Sequence, residues 1–283
     1  MPWPVQLQRQ QEGRGLQGFS MEKDRILLFI PMYNCEKQIT RVLGQLNREV
    51  CSYISEVLIV NNRSTDGGME AALEYVKNSD IDIPVRVFMN AENYGLGGSH
   101  KVAFDIAVRE GFDYCIVLHG DDQGDISNIL PYLKRKTYRK YDCLLGARFM
   151  KGSRLEGYSA FRTFGNVVYN ILFSLGCRMA IYDLGSGLNM YSCKMLQSRF
   201  YFKYKDNLMF NYCMILGSAY LKHRIRFFPI LWREDDQVSN VKMVSQALTV
   251  LSLLFSFILN PEGFVFAEHR DKQQKEYTGE FIS

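Results

Sequence analysis

The chain has 283 residues, 47% hydrophobic, 13% aromatic and 23% charged, a balance that excludes a disordered polymer and allows one large α/β domain with an extension. A formal net charge of +4, scattered without a basic stripe or interleaved aromatics, excludes a nucleic-acid partner and fits small anionic substrates or a weakly anionic membrane surface. Seven cysteines, at positions 35, 51, 115, 143, 177, 193 and 213, lack metal-ligand spacing, and their odd number argues against a disulfide framework, so a reducing cytoplasm is the simpler setting.

Residues 1–20 are rich in Gln, Arg and Gly and lack the apolar core of a secretory signal, so they read as a disordered extension, with Met21 as the natural start. From Arg25 onward, short apolar runs alternate with amphipathic stretches, which is the pattern of βαβ units and a mostly parallel sheet. Strands are expected at 25–31, 56–61, 85–89 and 114–118, and helices at 35–48, 67–77 and 98–110. The run 114–118 is apolar throughout, as a strand buried on both faces should be. Beyond it come a strand at 142–147, a helix at 161–176, a Gly-rich turn from Asp183 to Asn189, a helix at 207–220, a strand at 224–231 and a long helix at 241–259 that stops before Asn260-Pro261. The organisation is therefore an N-terminal extension (1–20), a catalytic domain (21–240), and an apolar helix with a polar, mobile tail (241–283). The apolar run 247–259 is shorter than the ~20 residues needed to cross a bilayer. It packs on the protein itself, joins copies in a homo-oligomer, or docks shallowly on a membrane.

Polar clusters follow three of the strands. Tyr33 and Asn34 follow the first, Asn61, Asn62, Ser64 and Asp66 the second, and His119 to Gln123 the run 114–118. Ligands of open α/β sheets bind outside the carboxyl ends of the strands, so these clusters predict one crevice. Asp121 stands there as a candidate ligand for Mg²⁺ or Mn²⁺, while Asp125 reads as the cap of the next helix, near Ile126.

Four pieces carry a family resemblance: Ile30-Pro31-Met32-Tyr33-Asn34, the stretch from Val60 to Gly67, Asn93-Tyr94-Gly95-Leu96-Gly97, and His119-Gly120-Asp121-Asp122-Gln123. Their order and spacing resemble family 2 glycosyltransferases over residues 25 to 150. A second set, Gly146-Ala147-Arg148-Phe149, the stretch from Asp183 to Leu188, and Arg233 to Lys242 with Ser239, resembles the polyprenyl-phosphate sugar transferase branch, which includes dolichol-phosphate mannosyltransferases. The resemblance implies a GT-A (Rossmann-like) fold, a mostly parallel sheet flanked by helices with a C-terminal helical extension. It further implies inverting, metal-dependent transfer from a nucleotide-sugar donor to polyprenyl phosphate or a lipid-linked saccharide in surface glycan synthesis. The enzyme would then work in the cytoplasm, at the inner face of the membrane.

The same resemblance assigns site residues. The branch's metal motif, Asp-x-Asp-x-Gln, falls on His119, Asp121 and Gln123. A histidine in the first place favours Mn²⁺, contacts the donor, or is a satisfied structural group. Asn61 and Asn62 stand where aspartates accept a hydrogen bond from the base, which an amide oxygen can also do. Pro31, Tyr33 and Asn34 would flank base or ribose, with an ordinary turn role open for Tyr33. Asp66 and Asp122 join the donor side. Gly95 and Gly97 would bring backbone N–H groups to phosphate, or simply make a tight turn. The general base would be Asp183, with Asp206 next, against the alternatives of a turn-holding role and a helix N-cap. Arg148, Arg162, Arg233 and Lys242 could bind phosphates, with Ser186 and Ser239 beside them. Two other readings compete. A nucleotidyltransferase should carry a Gly-rich basic loop where Pro31 to Glu36 stand, and a silent sugar-nucleotide-binding scaffold gains weight from His119 and the paired asparagines.

Overall fold

The computed structural model describes residues 23–234 and 243–282. The first half is a run of βα units: β1 (Ile26–Met32), α1 (Glu36–Gly44), a single turn α2 (Arg48–Cys51), β2 (Glu56–Asn61), α3 (Gly68–Asn78), β3 (Val85–Asn90), α4 (Gly95–Arg109) and β4 (Tyr114–Leu118). The second half comprises α5 (Leu130–Lys134), β5 (Cys143–Ala147), β6 (Arg154–Glu156), α6 (Ala160–Cys177), β7 (Leu188–Ser192), α7 (Cys193–Leu196), α8 (Phe210–Tyr220), β8 (Ile225–Pro229), β9 (Leu231–Arg233), α9 (Met243–Leu259), α10 (Pro261–Phe266) and β10 (Gly279–Phe281).

Among the described residues the main sheet runs β10-β3-β2-β1-β4-β7-β5-β8, and β6 pairs with β9 in a small second sheet. β1 pairs in parallel with β2 and β4, with Met32 opposite Asn61 and Phe29 opposite Val117, so their carboxyl ends lie side by side. Every residue of β1 is buried because helices cover both faces. Alternate side chains serve opposite layers: Leu27 and Phe29 join Phe104 and Phe210, while Leu28, Ile30 and Met32 join Ile39, Val42 and Leu43. This mostly parallel sheet flanked by helices is the expected GT-A-like class.

The expected helix 35–48 ends at Gly44 and the expected helix 207–220 starts at Phe210, and four further elements depart from the sequence expectation for a tertiary reason. The stretch after Asp183 is not only a turn, since it leads into β7, which runs antiparallel between β4 and β5. The expected strand 224–231 is two strands in different sheets. Pro229 lies at the break, where it has no N–H for a continuing ladder. α4 starts three residues early, at Gly95, because Gly97 packs so tightly against the Lys205 carbonyl and Phe210 that a side chain would collide with both. The tail, expected to be mobile, forms β10 and pairs antiparallel with the edge of β3.

α9 buries Val250, Leu253, Leu254 and Phe257 against the protein and turns Leu248, Phe255, Ile258 and Leu259 outward. α6, packed beside it, exposes Phe161, Phe164, Ile171 and Leu175. No helix among the described residues is long and apolar enough to cross a membrane. All seven cysteines are free thiols, buried except for the half-buried Cys177.

Candidate active site

The loops after β1 and β2 are stitched together. The Asn34 side-chain oxygen accepts from the Thr65 amide at 2.8 Å, and the Asn34 amide donates to the Ser64 hydroxyl at 3.1 Å. Asp66 caps two helices at once, accepting from the Glu36 amide at 2.9 Å and the Gly68 amide at 3.1 Å, so its charge meets the N-termini of α1 and α3. β4 is tied to the same edge, with the Gly120 amide donating to the Pro31 carbonyl and the His119 amide to the Gly187 carbonyl. Tyr33 stands half exposed over this junction.

Asp121 follows directly. Its carboxylate accepts from the Gln123 amide at 3.3 Å, and burial raises its pKa to about 6. The neighbouring Asp122 faces elsewhere. Held in the left-handed region at φ 59°, it accepts from Arg41 at 2.6 Å and Gln45 at 3.0 Å, and lies 3.6 Å from Arg233. Its carboxylate is thus spent on protein cations, and the expected donor contact is corrected to a clamp between α1 and β9. Arg233 also donates its amide to the Gln123 carbonyl, which keeps β9 against the Asp121 loop. His119 is neutral across the physiological range, because burial first and Arg148 second push its pKa down to about 4. Its buried Nε2 has no hydrogen-bond partner, and its ring lies against Gly187.

Arg148 and Asp183 form a two-pronged buried ion pair. Nε and the Arg148 amide both reach Oδ2 at 2.8 Å, Nη2 reaches Oδ1 at 2.8 Å, and the Gly185 amide takes Oδ1 at 3.0 Å. Only 11% of the Arg148 side chain and 1% of that of Asp183 are exposed. All four acceptor directions of Asp183 are filled, so in this arrangement it has no lone pair for an acceptor's proton. The guanidinium also lies 4.9 Å from Trp232 and 5.0 Å from Phe149, stacked on their rings.

Several other expected contacts turn out to be internal braces. Asn62 donates to Asn93 and accepts from Asn90 and the Tyr94 amide, which leaves no acceptor for a base. Asn61 accepts from the Ser64 amide. The Gly95 amide is bonded to Asn93 and the Gly97 amide to the Asp206 carbonyl, so neither glycine's N–H is open to phosphate and that role of both is corrected to close packing. Asp206 accepts from Lys101 and Tyr277, and Asn207 rather than Asp206 accepts from the Met209 amide ahead of α8. Ser186 donates to the Gly146 carbonyl at 2.7 Å and is buried. Arg162 is paired with Glu234 at 2.5 Å. Ser239 and Lys242 lie outside the described residues. Sequence reasoning missed Arg41, Gln45, Tyr158 and Trp232, side chains that gain their place only through long-range packing and carry no local signature.

Among the described residues no three His, Cys, Asp or Glu side chains gather into a cation cage. A single carboxylate, Asp121, suits a divalent ion that arrives already coordinated by phosphate oxygens and water, and the His119 ring is turned toward Gly187 and His100.

The family described as Glycosyl transferase family 2 matches residues 28–200, more than half of the chain. The chain belongs to that family. An uncharacterized protein of Methanocaldococcus jannaschii is 25% identical over 172 residues, which span 61% of this chain and 66% of that protein, just under two thirds of its length. Among solved structures, glucosyl-3-phosphoglycerate synthase of Mycobacterium tuberculosis bound to uridine diphosphate matches with a TM-score of 0.59 and 14% identity, covering 84% of this chain and 82% of that one. The same synthase with Mn²⁺, uridine diphosphate and phosphoglyceric acid gives a TM-score of 0.61 at 13% identity, covering 83% and 78%. At such identities the likeness shows the fold, and the family 2 assignment rests on the residue match.

Proposed function

We propose that this chain is an inverting glycosyltransferase that moves a sugar from a nucleoside-diphosphate sugar, with Mn²⁺ or Mg²⁺, to a phosphate-bearing acceptor carried on a lipid. The observation that carries the reading is Asp121, a half-buried carboxylate at the carboxyl end of a central strand, where the loops of β1 and β2 are fastened beside it. The solved relatives support it, since their bound species are uridine diphosphate, Mn²⁺, UDP-glucose and phosphoglyceric acid.

In one displacement the acceptor oxygen forms its bond to the sugar's anomeric carbon as the bond to the diphosphate oxygen breaks, and the diphosphate leaves with that electron pair. When bound, the divalent ion neutralises charge building on the departing diphosphate. Asp121 holds it, with Gln123 and His119 as neighbours. Tyr33 and Asn61 border the base, and Arg148 presents a fixed positive charge to the developing anion. Arg148 keeps its place because Asp183 grips it from behind, which makes Asp183 a positioning group rather than a base. An ionised phosphate acceptor needs no base, consistent with the full occupancy of the Asp183 oxygens.

The lipid side of the proposal rests on the outward faces of α6 and α9. Phe161, Phe164, Leu248 and Phe255 are each more than 60% exposed, and large apolar side chains gathered on two adjacent helices suit an apolar partner surface. α6 starts where Arg162 meets Glu234, directly after β9, so the apolar face borders the mouth. Flotation with anionic vesicles should carry the protein upward, and a Phe164→Glu, Phe255→Glu double variant should stay at the bottom. If the native protein also stays down, the acceptor is a soluble phosphate.

The donor reading is tested by hydrolysis of a panel of nucleotide-sugars with and without Mn²⁺. Activity should fall as pH drops through about 6, the pH at which Asp121 takes up its proton. Because proton and cation compete for one carboxylate, raising Mn²⁺ tenfold should move this limb about one unit to lower pH. A limb that ignores Mn²⁺ would remove the metal from Asp121.

A further inference from the structure

The tail after α10 does more than close a sheet edge. The Ala91 amide donates to the Thr278 carbonyl at 2.9 Å, and the Thr278 amide donates to the Tyr94 hydroxyl at 3.2 Å. The Tyr277 ring meets the Tyr94 ring edge-on at 5.1 Å, and its hydroxyl donates to Asp206 at 2.6 Å. Lys101, fully buried, pins this point by donating to Asp206 at 2.7 Å, to the Tyr277 hydroxyl at 3.1 Å and to the Tyr204 carbonyl. Farther along, Gln274 and Lys272 both hold Glu92.

On its other side, the segment gripped by the tail holds the crevice. The Tyr94 amide donates to the Asn62 oxygen at 2.9 Å, and the Asn62 amide donates to Asn93 at 2.8 Å. Asn62 directly follows β2 and precedes the turn in which Ser64 and Thr65 are bonded to Asn34. An unbroken chain of contacts therefore runs from Tyr277 and Thr278 through Tyr94 to Asn62, and on to the loops that would receive the base and ribose.

We infer that residues 268–282 form a strap whose task is to set the base-binding end of the donor crevice, with Tyr94 and Tyr277 as its positioning residues. The inference rests on the donor reading given above. Buried groups held by several bonds transmit position because none can shift without unmaking the others. An edge-sealing role alone would depend instead on β10, where the Phe281 ring meets Phe88 edge-on at 5.1 Å and lies under Arg86.

The test compares three variants of the full chain: Tyr94→Phe, which keeps the ring and loses the Thr278 contacts; Tyr277→Phe, which loses the Asp206 and Lys101 contacts; and Phe281→Ser, which weakens β10. Affinity for uridine diphosphate with Mn²⁺ is read by calorimetry, KM and kcat by turnover, and stability by thermal melting. The two tyrosine variants should weaken diphosphate binding and raise the donor KM about tenfold, the scale of one or two lost hydrogen bonds, while kcat stays within about twofold. Phe281→Ser should lower the melting temperature more than either and change KM less. Equal KM in the tyrosine variants and the native chain, or a KM effect confined to Phe281→Ser, overturns the strap. A native chain that binds no nucleoside diphosphate at all overturns the donor reading, and the strap with it.

Discussion

Asp121→Asn is expected to abolish transfer and, at the same time, make the folded chain harder to melt. Loss of the carboxylate that holds the divalent ion should reduce turnover about a thousandfold, the scale seen when a single electrostatic contact to the transition state is removed. The stability gain follows from the same burial. Folding raises the Asp121 pKa from 3.8 to about 6, so the folded state disfavours the charged form. The sign is opposite to that of a salt-bridged carboxylate: the penalty is complete above about pH 6, fades as pH falls, and is gone below 3.8. A neutral amide avoids it, and the gain at pH 7.5 should be at most about 3 kcal/mol. Thermal melting at pH 7.5 and pH 3.5 checks this, because the difference between variant and native protein should be present at the first and absent at the second. Active sites commonly trade stability in this way. Retained turnover with Mn²⁺ would move the cation elsewhere.

The second large effect concerns the pair Arg148 and Asp183. Arg148→Ala leaves a carboxylate with 1% exposure without its cation, and stranding a buried charge costs about 3–5 kcal/mol. Asp183→Asn should be milder yet clearly destabilising, because the amide nitrogen faces guanidinium donors and cannot accept. Denaturant unfolding of both variants decides the assignment. If Asp183→Asn unfolds like the native chain and loses only turnover, Asp183 is a proton acceptor after all and its positioning role is wrong. If both lose stability and Asp183→Asn keeps its affinity for uridine diphosphate, the carboxylate serves to hold Arg148.

These two expectations show which parts of the chain are legible from local pattern. β2 and β4 lie where the sequence places them, at Glu56–Asn61 and Tyr114–Leu118, because a strand covered on both faces must be an unbroken apolar run. β1 is displaced by one residue for the same reason. The gathering of the strand ends was legible too, since β1 pairs in parallel with β2 and β4 and their following loops are bonded to one another. β7 was not, because Leu188–Ser192 places Asn189 and Ser192 at buried positions and so breaks the continuous apolar run of a strand covered on both faces. Asn189 is satisfied in part by the Gly146 amide, and the strand is paired with β4 and β5, partners that no window around it reveals. The same holds at Asp122, whose neighbours Arg41 and Gln45 come from α1 and the residue just after it, and at Gly97, whose glycine answers to the Lys205 carbonyl far along the chain. The tail's placement depends on Tyr277 and Phe281, two aromatics with no periodic pattern around them. In each case the deciding contact is remote in sequence.

The seven thiols give the molecule a built-in gauge of its own opening. Burial drives the thiol of every one of them above its ordinary pKa, to about 12 for Cys35, Cys143, Cys177, Cys193 and Cys213, and only the thiolate reacts with alkylating agents. Each sulfur is therefore silent until its surroundings part. Cys35 sits under the crevice, against Gly120, and Cys213 within α8, so the order in which iodoacetamide tags them along a urea series maps which layer comes apart first.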